Sequence, residues 1–259
     1  MPLLSRRALL VGALALSLPV GRGAPAAAAA EAPLRVLAAS SLTEVLGALD
    51  RRWQAAGHPP LALSVDGSNR LAQQVAGGAP ADLFLSADEP WMQELADKGL
   101  IRPETRVVLA QNSLVVVVPV NGGLALAGPE GLRAAQRLAL AGEGVPAGRY
   151  ARASLQQLGL WSALADRVVS GANVRATLAW VAGGEAEAGV VYATDARVEP
   201  RVRVAFTLPP TSHPSIRYPA AVLKSSAQPA VAAAFLALCR SSAAQADWAA
   251  AGFLPPPAQ

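Results

Sequence analysis

Short apolar runs alternate with stretches of helical periodicity along most of this chain. The run Leu34–Ala38 is followed by apolar residues at helical spacing as far as Trp53. Leu61–Val65 and Asp82–Leu85 predict two further strands, each with a helix after it. Three strand–helix units within residues 34–99 predict a parallel α/β sheet.

The alternation continues through the rest of the chain. Ser113–Val120 is a continuous apolar run, which is typical of a strand at the centre of a sheet. The single cysteine, Cys239, excludes a disulfide framework and is predicted to be a buried structural thiol. Further predicted strands are Arg137–Leu140, Gly189–Tyr192, Val202–Phe206 and Pro219–Leu223, and further helices begin at Tyr150 or span Val174–Val181, Pro229–Cys239 and Ala243–Ala250.

The first 30 residues have the pattern of an export signal. Arg6 and Arg7 precede the 13-residue apolar run Ala8–Val20, and the tract Ala26–Ala30 offers cleavage sites between small residues. A membrane-spanning helix needs roughly 20 apolar residues, so a cleaved signal peptide over residues 1–30 is favoured over an anchor. The paired arginines fit a twin-arginine signal and an ordinary secretory signal equally well.

The net charge of +4 belongs mostly to this leader. Residues 1–30 contain three arginines and no acidic residue, so removing them from the 22 basic residues leaves 19 against 18 acidic ones. The remaining chain is therefore almost neutral. Nucleic-acid binding loses its main support, because that function needs a basic surface.

Motifs of common catalytic sites are missing from the sequence, which has no GxSxG, GxxxxGK[ST], HExxH or GxGxxG. Polar residues occur instead where strands meet helices. Ser41 and Glu44 fit a capping box, and Ser68 after Gly67 is a predicted N-cap. Both hydroxyls would lie at helix N-termini on the carboxyl edge of the sheet, where ligands bind and anions are favoured. Plain helix capping is the alternative.

Several segments resemble, in the same order, the periplasmic molybdate-binding proteins of ABC importers. The likeness covers nearly all of residues 33–253. It is carried by Ala-Ser-Ser-Leu-Thr at 39–43, Gly-Ser-Asn-Arg-Leu-Ala at 67–72, Gly-Ala-Pro-Ala-Asp-Leu-Phe-Leu-Ser-Ala-Asp at 78–88, Asn-Ser-Leu-Val-Val-Val at 112–117, Val-Pro-Ala-Gly at 145–148, Asn-Val-Arg at 173–175 and Gly-Val-Val-Tyr at 189–192.

This resemblance implies an α/β fold of the type II periplasmic-binding-protein class. Each of two lobes is then a mostly parallel sheet flanked by helices, and the ligand lies in the cleft between them. Residues 31–112 and 217–259 would form lobe I, and residues 113–216 would form lobe II. The implied function is high-affinity binding of molybdate, and also tungstate, in the periplasm. The implied partner is an ABC importer permease in the inner membrane, served by a monomeric binding protein.

The resemblance also implies which residues hold the oxyanion. Ser41, Ser68 and Tyr192 would donate through hydroxyl groups, and Ala147 and Val174 through backbone N–H groups. No catalytic residue and no cofactor is implied, because molybdenum would be bound only as its oxyanion. Two departures from the family pattern leave open the role of Asn69, beside Ser68, and the path of the Gly142–Gly144 loop.

Donor groups alone suit a fully deprotonated dianion such as molybdate. Hydrogen phosphate keeps a proton that needs an acceptor, and an unpaired proton costs ~1–3 kcal/mol. Sulfate has no proton, so size must exclude it. Arg70 and Arg175, next to predicted anchors, are expected to be surface or cleft-rim charges that steer the anion.

Three alternatives stay open. One is a binding protein for sulfate or another tetrahedral oxyanion. Another is a secreted serine hydrolase in which Ser41 or Ser68 is the nucleophile and His58 or His213 the base. The last is a nucleic-acid-binding effector domain of similar fold, which conflicts with the export signal.

Overall fold

The computed structural model describes residues 32–122 and 124–258, and the signal peptide predicted over residues 1–30 lies outside them. Within this part of the chain, none of the helices combines the length and the apolar character that crossing a bilayer requires. The described residues form two five-stranded sheets with helices against both.

The first sheet has the strand order β2-β1-β3-β10-β4. Strands β2 and β3 lie parallel to β1 on either side, and β10 lies antiparallel to both β3 and β4. Four of the five strands therefore run in one direction. The strands are β1 (Arg35–Ala39), β2 (Ala62–Asp66), β3 (Leu83–Leu85), β4 (Val107–Asn112) and β10 (Ile216–Val222), and the helices on this sheet are α1 (Thr43–Ala55), α2 (Ser68–Ala76), α3 (Glu89–Asp97), α8 (Pro229–Arg240) and α9 (Ser242–Ala250).

The second sheet has the order β7-β6-β8-β5-β9. Strands β7 and β8 lie parallel to β6, and β5 lies antiparallel to β8 and β9. Its strands are β5 (Leu114–Pro119), β6 (Leu138–Ala141), β7 (Val168–Gly171), β8 (Ala188–Tyr192) and β9 (Val202–Thr207), and its helices are α4 (Pro146–Gln157), α5 (Trp161–Leu164), α6 (Val174–Ala182) and α7 (Ala193–Arg197). Short 3-10 turns lie at Ser40–Leu42, Pro103–Thr105, Pro129–Ala134, Ala165–Arg167 and Pro210–Ser212.

The chain passes between the two sheets twice. The first passage is the single residue Ser113, between β4 and β5, and the second is the segment 208–215, between β9 and β10. The first sheet therefore takes its strands from both ends of the described chain. This architecture of two helix-flanked, mostly parallel sheets confirms the predicted two-lobed α/β fold class.

The core agrees with the apolar patterning of the sequence. Leu114–Val118 of β5 is completely buried, as expected for a strand with neighbours on both edges. Cys239 is also completely buried, and burial raises the pKa of its thiol. Since only the thiolate reacts readily, the prediction of a structural cysteine is confirmed.

Candidate functional site

All five residues predicted to hold a ligand line a single cavity between the two sheets. Ser41 and Ser68 lie on the side of the first sheet, and Ala147, Val174 and Tyr192 lie on the side of the second. The cavity has a volume of about 10 Å³, far below the several hundred Å³ of a typical organic-ligand pocket. The other residues that line it are Ala39, Ser40, Asp66, Gly67, Ala87, Val145 and Pro146.

Ser41 reaches the cavity from the 3-10 turn that follows β1. Helix α1 begins two residues later with Leu42 at its N-cap, and no side chain caps it. The predicted capping box of Ser41 and Glu44 is therefore wrong. The Ser41 hydroxyl, which is 2% exposed, instead lies 3.1 Å from the Tyr218 hydroxyl, so its position is set by a strand 177 residues away.

Ser68 is the first residue of α2, and the predicted N-cap role is wrong for this serine as well. Gly67 takes the N-cap position, and no side chain caps the helix. The buried Ser68 oxygen accepts a hydrogen bond from the backbone N–H of Ala87 at 3.0 Å. This bond uses the oxygen as an acceptor, so the hydroxyl hydrogen of Ser68 remains free to donate into the cavity.

Two helix N-termini meet the cavity from the second sheet. Helix α4 begins at Pro146, and α6 begins at Val174 directly after Asn173, whose side chain caps it through the N–H of Ala176. The first N–H groups of a helix have no intrahelical acceptor and carry partial positive charge. Ala147 and Val174 lie within these first turns, so the local structure fits their predicted role as backbone donors.

Tyr192 ends β8 and is 1% exposed. Its hydroxyl oxygen is buried without a hydrogen-bond partner among residues 32–122 and 124–258. Burial raises the pKa of Tyr192 well above its ordinary value, so the hydroxyl keeps its proton. An unpaired buried hydroxyl is unfavourable by itself, and this one lines the cavity, where a bound acceptor would satisfy it.

One carboxylate in the cavity lining was not identified from the sequence. Burial alone would raise the pKa of Asp66, but hydrogen bonds from the Asn173 side chain and from the Gly67 N–H hold it below its ordinary value. Those bonds to Asp66 Oδ1 measure 2.8 and 2.7 Å, and Arg70 lies 3.4 Å from Oδ2. The charge of Asp66 is therefore compensated, and the carboxylate links the start of α2 to the start of α6.

Arg175 lies beside the cavity, one residue after Val174, and joins elements of both sheets. Its Nη1 and Nη2 atoms donate to Glu44 of α1 at 2.7 and 2.5 Å, and its Nε donates to Asp195 of α7. Burial would raise the pKa of Glu44, but pairing with Arg175 lowers it. Arg175, which the sequence predicts to be a charge at the cleft rim, therefore links an element of the first sheet to an element of the second through ion pairs. Among the described residues, the cavity lining itself contains no lysine or arginine.

Two further contacts join elements of the two sheets. The Arg149 guanidinium of α4 pairs with Asp88, a carboxylate that is 2% exposed and also caps α3 through the N–H of Trp91. The Trp91 indole N–H donates to the carbonyl of Gly144 at 2.9 Å. The two sheets are therefore joined by polar contacts from α4 and the Gly144 loop as well as from α6.

The histidines that a serine hydrolase would need lie elsewhere. His58 stacks on Trp53 with 3.5 Å between ring centroids, and His213 Nδ1 lies 2.8 Å from the Pro214 carbonyl. Neither lines the cavity. Across the part of the chain that the structure covers, no group of three or more His, Cys, Asp or Glu side chains could hold a metal ion.

The fold and the cavity define a class of two-lobed proteins that enclose one small solute between their lobes. The sequence profile of the bacterial extracellular solute-binding proteins matches residues 34–254, and this chain belongs to that family.

Individual relatives are similar to this chain over most of their length. The chain is 38% identical over 218 residues to the molybdate-binding protein ModA of Escherichia coli (strain K12), covering 76% of this chain and 80% of that protein. It is 38% identical over 204 residues to ModA of Haemophilus influenzae, with the same coverage of 76% and 80%. The solved periplasmic molybdate-binding protein of Azotobacter vinelandii superposes with a TM-score of 0.78 at 25% identity, covering 86% of this chain and 100% of that chain.

Proposed function

We propose that this protein binds molybdate or tungstate in the cavity between its two sheets and delivers the anion to an ABC importer permease in the inner membrane. It would do so as a monomer in the periplasm, after export by its signal peptide, and without a cofactor. The observation that carries the proposal is the Tyr192 hydroxyl, a buried donor without a partner among the described residues, in a cavity of about 10 Å³ lined by two serine hydroxyls and two helix N-termini.

The chemistry of the lining supports a tetrahedral dianion. Ser68 has a free hydroxyl hydrogen because its oxygen already accepts from Ala87, and Tyr192 stays protonated because it is buried. Fixed hydroxyl and N–H dipoles stabilise an anion without a charged side chain. Asp66, the one acidic residue of the lining, accepts hydrogen bonds from Asn173 and Gly67 and lies 3.4 Å from Arg70, so most of its acceptor capacity is already used within the protein.

A thermal-shift screen of the purified protein with molybdate, tungstate, sulfate and phosphate tests the proposal. At 100 times its dissociation constant, a bound anion adds about 2.7 kcal/mol to the free energy of unfolding. We expect this for molybdate and tungstate, a smaller effect for sulfate and none for phosphate. An equal response to sulfate would favour the sulfate-binding alternative, and no response to either metal oxyanion would reject the proposal.

Replacing Ser68 tests the location of the site. Ser68→Ala removes one hydrogen bond to a charged ligand, which is worth about 1.5–3 kcal/mol, so we expect molybdate affinity to fall about 10- to 100-fold. Isothermal titration calorimetry measures this loss. Ser64→Ala, at an exposed position of β2, is the matched control and should bind as the parent protein does.

A further inference from the structure

Three buried side chains form a line of hydrogen bonds behind the cavity. Asn112 Nδ2 lies 3.1 Å from Tyr218 Oη, and Tyr218 Oη lies 3.1 Å from Ser41 Oγ. The three residues are 7%, 1% and 2% exposed. Only Ser41 lines the cavity. Asn112 ends β4 and Tyr218 lies in the neighbouring β10, so two strands of the first sheet hold the serine from behind.

The orientation of the Asn112 amide is fixed by its other contacts. Its Oδ1 accepts the backbone N–H of Ser113 at 2.9 Å, so its Nδ2 must face the Thr194 hydroxyl at 2.9 Å and the Tyr218 hydroxyl. An amide nitrogen can only donate. The phenol oxygen of Tyr218 therefore accepts a hydrogen bond from Asn112.

The hydrogen bond from Asn112 determines the direction in which the Tyr218 hydroxyl donates its hydrogen. Burial raises the pKa of Tyr218, so its phenol keeps its single hydrogen. Of the described residues, Ser41 provides the hydrogen-bond partner of Tyr218 besides Asn112. If Ser41 donated to Tyr218, the phenol hydrogen would be buried without an acceptor, which costs about 1–3 kcal/mol. Tyr218 consequently donates to Ser41, and the hydrogen of Ser41 is left for the cavity.

We propose that Asn112 and Tyr218 are positioning residues that hold the Ser41 hydroxyl as a donor toward the bound oxyanion. The inference rests on the proposed function and deepens it, because it assigns the rejection of protonated oxyanions to residues that do not touch the ligand. Hydrogen phosphate carries a proton that needs an acceptor. When Tyr218 donates to Ser41, the Ser41 hydrogen points at the ligand, so a ligand proton at this position would face a hydrogen and not a lone pair.

Two variants change the direction of the hydrogen bonds in different ways. Tyr218→Phe removes the phenol, so Ser41 is free to rotate and to accept a ligand proton. Asn112→Asp replaces the donor by an acceptor, so the Tyr218 hydrogen turns toward it and Ser41 must donate to Tyr218. We expect molybdate affinity to fall about threefold to tenfold in Tyr218→Phe and more than tenfold in Asn112→Asp. In both variants the ratio of the phosphate to the molybdate dissociation constant should fall at least tenfold.

The double variant separates this reversal from the effect of the added charge. If the hydrogen-bond line carries the effect, Asn112→Asp should change molybdate affinity by less than threefold once Tyr218→Phe is present. A simple charge effect would be equal in both backgrounds. Tyr150→Phe is the control, because it removes a buried phenol that neither lines the cavity nor bonds to Ser41.

Calorimetric titration with molybdate and with phosphate at pH 7.5 measures all of these ratios, with thermal unfolding as the check on folding. A discrimination ratio that stays within twofold of the parent in both single variants would overturn the inference and leave the proposed function standing. Equal effects of Asn112→Asp in both backgrounds would overturn it too. A parent protein that binds no oxyanion would reject the proposed function and the inference together.

Discussion

Asp195 is a completely buried carboxyl group in contact with Arg175, and hydrogen bonds satisfy only one of its two oxygens among the described residues. Its Oδ1 accepts from Arg175, but its Oδ2 has no hydrogen-bond partner among the described residues. Burial raises the pKa of Asp195 to about 6, although the nearby Arg175 lowers it. In an unfolded chain the same group titrates near 3.8. Between these two values the folded protein binds more protons than the unfolded one.

This difference predicts a pH dependence with a definite sign. Stability contributed by the protonated Asp195 is present below about pH 4 and is lost as the pH rises through about 6. We expect the parent protein to lose about 2–3 kcal/mol of unfolding free energy relative to Asp195→Asn between pH 4 and pH 7.5. Urea unfolding at several pH values measures this.

The control at this scale is Asp247→Asn. Pairing with Arg52 lowers the pKa of Asp247, so its contribution is lost as the pH falls, and the comparison with the parent should have the opposite sign. Parallel pH profiles for the parent and Asp195→Asn would contradict the prediction.

At the residue scale, the sequence predicts the participants of the site better than their contacts. The five predicted ligand-holding residues do line one cavity. The capping roles predicted for Ser41 and Ser68 are wrong, because the N-cap of each helix is the neighbouring residue, Leu42 for α1 and Gly67 for α2. A shift of one residue is enough to move a side chain out of the capping position. The partners of these serines, Tyr218 and Ala87, belong to other strands or loops, and no local pattern reveals them.

At the element scale, the start of α4 depends on a close approach to the end of β6. A Cβ atom at Gly148 would lie 2.2 Å from the Ala141 carbonyl oxygen and 2.3 Å from that of Gly142. Both are backbone atoms and cannot rotate away. The absence of a side chain at Gly148 therefore lets the first turn of α4 lie against the cavity.

Gly148→Ala should consequently displace Ala147 and weaken ligand binding. We expect molybdate affinity to fall more than tenfold and the free energy of unfolding to fall by about 1–3 kcal/mol, as for overpacking elsewhere. Calorimetry and urea unfolding measure the two losses. Gly47→Ala in α1 is the matched control, since a Cβ atom there would lie 3.9 Å from the end of the flexible Arg51 side chain. It should gain about 0.5–1 kcal/mol of stability. Equal affinities in the two variants would contradict the prediction.

The sequence misses two strands, β4 and β7, and both lie at an edge of their sheet. Strand β7 contributes partly exposed residues and is four residues long, and β4 ends in Gln111 and Asn112. Edge position alone does not hide a strand, because the edge strands β2 and β9 are predicted, but β4 and β7 lack the continuous buried apolar run that identifies β5. The interior strands are predicted to within one or two residues, except that β10 begins three residues before its predicted start at Pro219.

At the scale of the whole molecule, ion pairs join the two lobes. Arg175 pairs with Glu44, and Arg149 pairs with Asp88. Each pair is present only when the lobes are close, so each stabilises the closed form relative to an open one. Ligand release, which requires opening, should be slower because of them.

Glu44→Gln tests this consequence. We expect the dissociation rate of molybdate to rise about threefold to tenfold, corresponding to about 0.7–1.4 kcal/mol for a half-exposed pair. Stopped-flow measurements of release give this rate. The matched control is Glu143→Gln, which breaks the Arg152–Glu143 pair within the second lobe and should leave the rate unchanged. Identical release rates in the parent and Glu44→Gln would contradict the role of this contact.

The indole of Trp91 gives the molecule an optical property that follows from its position. Its N–H bonds to the Gly144 carbonyl of the other lobe, and the Arg149 guanidinium lies 5.4 Å from its ring centroid. Separation of the lobes would remove the hydrogen bond and the adjacent positive charge at the same time and admit water to the ring. Because tryptophan emission responds to polarity and to nearby charge, the protein carries its own fluorescent reporter of opening and closing, without an attached dye.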